Sequence, residues 1–240
     1  MTNGRKATGA RRLRRMHDQL AKAYGQQHWW PAKTAFEVVI GAYLTQNTAW
    51  KSVEISLSNL KRERALTISG LRSLALPELQ RLIRPSGFQT RKAPALKAFV
   101  AMLDAEFDGS LERLSATPTL KLRSRLLELP GVGPETADAI MLYALRHPVP
   151  MADEYLRRIV DRHGLIDPAP AKNSKGYESL VQLTIQAFSP DSTANRTKLF
   201  NEFHALIVAV GKAHCGRDPR CEDCPLRYDL SAETHAGTKA

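Results

Sequence analysis

The sequence predicts an all-α fold, and three observations carry that expectation. Apolar residues recur at helical spacing in nearly every segment from Leu20 to Val210, and no run alternates apolar and polar residues as a half-buried strand would. The breaks between these segments are short and rich in Gly and Pro, as in Pro85-Ser86-Gly87, Asp108-Gly109 and Thr117-Pro118. Thr34, with Glu37 three residues later, gives capping-box spacing just before an apolar run. At 240 residues the chain can bury a real core, as one domain or as two small lobes.

Taken in order, residues 1–16 carry Arg5, Lys6, Arg11, Arg12, Arg14 and Arg15 and are expected to form a flexible, solvated tail, with extra backbone contact to a polyanion as the functional alternative. A first amphipathic stretch closes over Leu20 to Tyr24 and is broken by Trp29-Trp30-Pro31. A helix is expected to begin at Thr34 and run through Val38, Val39 and Ile40 toward Leu44. Further helical patterns occupy Val53 to Leu60, Ser69 to Leu74, Pro77 to Ile83, Lys92 to Phe107 and Thr119 to Leu127. Asp167 to Lys175, rich in Pro, Ala, Asn and Ser, reads as a surface loop. Two helices follow, near Tyr177 to Phe188 and Lys198 to Val210, before a cysteine-bearing tail. No internal repeat is visible.

The formal net charge of +11 and pI of about 9.8 point to a polyanionic partner, because each phosphate neutralised by Lys or Arg releases a condensed counterion. An anionic membrane surface or plain solubility would give the same signal. No apolar run approaches the roughly 20 residues of a spanning helix, and no apolar segment of the secretory type follows the basic N-terminus. A cytoplasmic, nucleoid-associated protein is expected. Cys215, Cys221 and Cys224 fall within ten residues, an odd and clustered set that suits metal ligation better than disulfides.

The most informative stretch runs from Leu122 to Arg158. A helix ends near Glu128, the turn Leu129-Pro130-Gly131-Val132-Gly133-Pro134 follows, and a new helix opens at Glu135-Thr136-Ala137. Two glycines around one small apolar residue let backbone N–H groups approach a phosphate without Cβ interference, and the helix N-terminus adds partial positive charge. Pro134 suits the first helical position. Nineteen residues later Asp153 precedes the apolar-basic segment Tyr155 to Val160. It reads either as an ordinary N-cap or as a carboxylate facing DNA, placed to stabilise a sugar cation or orient water.

Leu-Pro-Gly-Val-Gly followed by this aspartate resembles the helix-hairpin-helix (HhH-GPD) DNA glycosylase superfamily of endonuclease III-like enzymes, over about Trp29 to Pro225. The resemblance implies a six-helix barrel over 34–146, with its hairpin at about 122–146, and a second helical lobe built from 17–33 plus 147–240. It implies that Gly131, Val132 and Gly133 grip duplex DNA, and that Asp153 is the catalytic carboxylate. Bifunctional members of the superfamily carry a lysine at the position of Glu135, so efficient AP lyase chemistry is not expected. Glu135 also reads as a first-turn carboxylate complementing the helix dipole. Gln46 and Phe88 match positions that fill the gap left by a flipped nucleotide and wedge into the stack; a loop polar residue and a half-buried aromatic are the plainer readings.

A second set of motifs, Trp29-Trp30-Pro31, Phe36 to Ala42, Leu44 to Thr48, Arg84 to Phe88 and Ala137 to Ile140, resembles the 3-methyladenine DNA glycosylase III group. There Trp29, Trp30, Pro31 and Trp50 would line the base pocket, with Glu135 also belonging to it, although large aromatics also serve as core. The spacing of Cys215, Cys221 and Cys224, with Pro225-Leu226, resembles the iron-sulfur loop of endonuclease III relatives. The fourth cysteine position is Leu230, which leaves a [4Fe–4S] cluster with a non-cysteine ligand such as Asp229, Tyr228 or His214, a zinc site, or a remnant with free thiols. The expected function is monofunctional base-excision repair of alkylated bases by base flipping, on double-stranded DNA and as a monomer. The alternatives are an endonuclease III-like glycosylase with AP lyase activity on oxidised or mismatched pyrimidines, and a non-catalytic DNA-binding module.

Overall fold

A computed structural model of the chain describes residues 2–27, 29, 32–189 and 191–230, with the backbone alone for 2–7, 193 and 194. Trp30 and Pro31, two of the expected pocket residues, lie outside the described residues. Among the described residues the regular structure is helical throughout. The chain divides into two compact units, Met1–Trp29 with Pro148–Ala240, and Trp30–His147. In chain order the helices are α1 (Thr2–Tyr24), α2 (Ala35–Thr45), α3 (Trp50–Arg62), α4 (Ile68–Ser73), α5 (Leu76–Ile83), α6 (Gln89–Phe107), α7 (Leu111–Ser115) and α8 (Thr119–Leu127). They continue with α9 (Pro134–Ala139), α10 (Glu154–Arg162), α11 (Ser174–Ala187) and α12 (Thr193–Ala213).

The Trp30–His147 unit is organised around α2. Phe36 and Val38 to Leu44 are all buried, and a helix apolar on every side belongs at the centre of a core. Each large aliphatic side chain so buried contributes about 1.5–3 kcal/mol. Thr34 caps α2, its Oγ1 accepting from Glu37 N at 3.1 Å; the Glu37 carboxylate reaches the backbone N–H of Lys33 rather than that of Thr34. Helices α3, α6 and α9 pack on α2, and the Tyr43 and Phe99 rings meet edge to face at 6.1 Å. α7 lies where the sequence shows only breaks: Ser110 caps a single turn, accepting from Arg113 N at 3.2 Å. After α9 the chain widens into a π-type turn over Ile140–Ala144 whose buried residues also face α2.

In the other unit the structure corrects the expectation of a flexible tail over residues 1–16, which are helical from Thr2 onward. Leu13, Met16 and Leu20 form a fully buried stripe, and α1 packs on α11 and α12. Arg12 and Arg14 flank that stripe and pair within the unit, with Asp229 and Asp191. Phe188, Phe200 and Phe203 pack together, with the His17 ring edge-on to Phe188 at 5.2 Å. α10 is held against α12 so closely that a Cβ on Gly211 would lie 2.2 Å from the Tyr155 ring.

Candidate DNA-contact and base-excision residues

The hairpin joins α8 to α9. Gly131 adopts φ +76, a left-handed conformation that L side chains resist, and a Cβ there would touch Ala95 at 3.4 Å. Gly133 has ordinary backbone angles (φ −94) and a Cβ would meet nothing within 4 Å, so its lack of a side chain serves no internal packing. Both glycines are exposed, and among the described residues no backbone carbonyl takes their N–H groups. Val132 between them is buried and anchors the turn, while Pro134 opens α9 where no N–H is needed. Such a turn presents backbone donors outward, which suits a phosphate. Glu135 lies exposed in the first turn of α9.

Two further loops of the same unit stand with the hairpin. Gln46, just past α2, donates its side-chain amide to Gly131 O and to Thr136 Oγ1, each at 2.9 Å, so it is tied to the hairpin. Phe88 is 52% exposed and sits at φ +49, ψ +30, directly after Gly87 at φ +62. A bulky side chain in the left-handed region is unfavourable by about 1–2 kcal/mol and persists only where the surroundings impose it. Here the Ser86 side imposes it: the buried hydroxyls of Ser56 and Ser86 bond at 2.7 Å, and Ser86 N donates to Ser56 Oγ at 3.1 Å. The Arg91 guanidinium lies 5.6 Å from the Phe88 ring.

Asp153 is the N-cap of α10. Its Oδ1 accepts from Leu156 N at 2.8 Å, and its Oδ2 lies 3.5 Å from Nε2 of the buried His204. The capping role is therefore real, and it uses only one of the two carboxylate oxygens. The side chain is 12% exposed. Trp29 and Trp50 are each half-buried, so neither is a fully enclosed core residue; the Lys212 ammonium stands 5.7 Å from the Trp29 ring centroid. Trp50 opens α3.

The three cysteines of the tail are free thiols. Among the described residues no group of His, Cys, Asp and Glu side chains is arranged to hold a metal ion. Cys215 is buried and accepts from Arg162 Nη1 at 3.0 Å, while Cys221 and Cys224 are half-buried. Burial pushes the Cys224 thiol up, with the nearby Cys221 and Cys215 adding to the effect, so the three sulfurs sense one another without forming a ligand set. The supposed oxygen ligand is committed elsewhere: Asp229 accepts from Arg12 Nη2 at 2.6 Å and Nε at 3.0 Å, and meets His163 Nδ1 at 3.1 Å. His214 Nδ1 bonds Arg220 O at 3.2 Å, and Leu230 has no donor atom to offer. Among the described residues the side chains as placed thus form no complete ligand set for an iron-sulfur cluster or a zinc ion.

Two residues escape a reading of the sequence. His204 falls on the buried face of α12, and Lys92 on the buried face of α6, with Leu96, Phe99 and Leu103. Their signal was present as a polar residue on an otherwise apolar stripe.

Comparison with known proteins places these features. Residues 40–182 match the HhH-GPD superfamily base excision DNA repair protein family. The chain is 39% identical over 207 residues to a Methanocaldococcus jannaschii protein named as a DNA repair glycosylase, covering 85% of this chain and 89% of that one. It is 30% identical over 215 residues to an adenine DNA glycosylase of Mycolicibacterium smegmatis, covering 88% of this chain and 66% of that protein. Among solved structures it resembles the H. pylori 3-methyladenine DNA glycosylase bound to 1,N6-ethenoadenine, at 26% identity and TM-score 0.73, covering 84% of this chain and 97% of that one. A non-covalent endonuclease III–DNA complex shares the fold at 23% identity and TM-score 0.73, covering 95% and 97%. The chain thus belongs to the HhH-GPD superfamily of base excision DNA repair proteins, as a DNA glycosylase of the helix-hairpin-helix type.

Proposed function

We propose that this glycosylase is monofunctional and removes alkylated, 3-methyladenine-like bases from duplex DNA, with Asp153 as the catalytic carboxylate. The observation that carries the reading is the division of labour at Asp153: Oδ1 fixes the start of α10, and Oδ2 is left for other chemistry beside His204. When the C1′–N bond breaks, its electron pair goes to the base, and a cationic methylated base leaves neutral without needing a proton. Positive charge develops on the sugar, where a carboxylate stabilises it, and water then adds to C1′ and gives up a proton. Glu135 stands where bifunctional relatives carry a lysine, and a carboxylate forms no imine.

The choice of alkylated bases is supported by the 26% identity with the 3-methyladenine enzyme and by the tryptophans. Electron-rich rings stack well on a cationic base, and one face of Trp29 already receives a cation, that of Lys212. No step involves the three cysteines. The test is a release assay on duplex DNA treated with a methylating agent, with bases identified by chromatography and borohydride added in parallel. Release of 3-methyladenine from an otherwise intact strand, with no trapped adduct, is expected. A trapped adduct, or release of oxidised or mismatched pyrimidines alone, would replace this reading with an endonuclease III-like lyase. Release of no base from alkylated or oxidised duplex would leave only a DNA-binding module.

A further inference from the structure

We propose that Lys92 is a positioning residue for base extrusion: it ties together the two turns that carry Gln46 and Phe88 and so sets the gap which those side chains can occupy in a duplex. The inference rests on the glycosylase reading above.

Lys92 is 5% exposed, and its Nζ donates to Leu44 O, Thr48 Oγ1 and Ser86 O, each at 2.8 Å. Three protons meet three acceptors, so the ammonium is fully used. The acceptors belong to the end of α2, the turn after it, and the turn before Phe88. Thr48 Oγ1 in turn donates to Ser86 O at 2.7 Å, which closes a triangle across the two turns. Gln46 lies midway between Leu44 and Thr48, and Phe88 lies two residues beyond Ser86. Lys92 also holds Phe88 through the main chain, its N–H donating to Phe88 O at 2.9 Å, and its Nζ stands 5.8 Å from the Phe88 ring.

All three oxygens are neutral. An apolar side chain would fill this place in the core at less cost than an ammonium without a counterion, so what the amine adds is the geometry of the two turns. Burial pushes it down to about 8. No acid faces it from the surrounding elements; Lys51 and Glu54 of α3, Arg84 before Phe88 and Arg91 on its own helix are all exposed. On losing its proton the amine keeps two N–H groups for three acceptors, and one strand of the triangle opens.

The sign of the pH effect separates positioning from mere structural support. With the folded amine near 8 and the unfolded one near 10.5, the unfolded chain holds the extra proton between those values, so stability from this group rises with pH across that window. Extrusion follows the folded amine alone and is expected to fall through about pH 8.

The test uses the full chain and a duplex carrying 3-deaza-3-methyladenine, whose glycosidic bond does not break, with a neighbouring 2-aminopurine as a fluorescent reporter of unstacking. Wild-type extrusion should decline through about pH 8 while the thermal midpoint does not fall. Lys92→Met should slow extrusion on the order of ten- to a hundredfold, bind the duplex with little change, and show no pH step. Wild-type-like extrusion by Lys92→Met, or a wild-type profile flat through pH 8 or rising with stability, would overturn the inference; should Lys92→Met not fold, the wild-type profile decides alone. A wild type that unstacks no reporter at any pH would refute the alkylated-base reading, and this inference with it.

Discussion

At the scale of single residues, Asp229 shows how a carboxylate that reads as a ligand can be structural. It is 6% exposed and joins Arg12 of α1 to His163 at the end of α10, fastening the C-terminal turn. Asp229→Asn removes one partner of a mostly buried pair; because Arg12 is partly exposed, the expected loss is about 2 kcal/mol, below that of a fully buried pair. For a chain of this size that lowers the thermal midpoint by roughly 4–8 °C. Burial holds the His163 imidazole below its ordinary 6.5, with Asp229 opposing the shift. The unfolded chain then takes up a proton that the folded one resists, so stability should be lost as pH falls below about 6.5 and level off beneath the folded value. Melting curves from pH 7.5 to 5 check this, and His163→Gln should flatten the slope. Asp153 was legible in the sequence because an Asp before an amphipathic helix announces itself, whereas the engagement of Asp229 by residues 217 and 66 positions away had no local signature.

Elements were legible where an apolar stripe and a cap coincide, as at Thr34 and α2, whereas the Asn173 cap of α11 was lost in a stretch that reads as loop. They were hidden where composition masked the stripe. In α1 the arginines obscured Leu13 and Met16, and α7 is a single capped turn too short to show a period. The hairpin turn shows what the glycine spacing alone did not, namely that its two glycines act differently. Gly131→Ala strains a left-handed position and should cost about 1–2 kcal/mol, lowering both the thermal midpoint and duplex affinity. Gly133→Ala meets open space within the protein, so the midpoint should hold while duplex affinity falls several-fold, the new methyl standing where a phosphate approaches. Calorimetry and a binding titration on the two variants distinguish these outcomes.

For the whole molecule, the joining of Met1–Trp29 to Pro148–Ala240 has no local signal, because it rests on α1 docking against helices more than 150 residues away. The charge of +11 was legible from composition, although some arginines are paired within the chain, Arg123 with the buried Asp138 and Arg72 with Asp104 at the surface. Duplex affinity should weaken tens-fold from 50 to 200 mM salt if about three phosphates are neutralised, and more steeply with each further one. At Asp153 an asparagine keeps the capping oxygen but loses the charge on which the proposed chemistry depends. Single-turnover release of 3-methyladenine by Asp153→Asn, set beside its affinity for the same duplex, is the decisive comparison. Unchanged affinity and midpoint with release slowed at least about a hundredfold would place the carboxylate in the transition state. Release at the wild-type rate would remove Asp153 from the chemistry and leave it a helix cap.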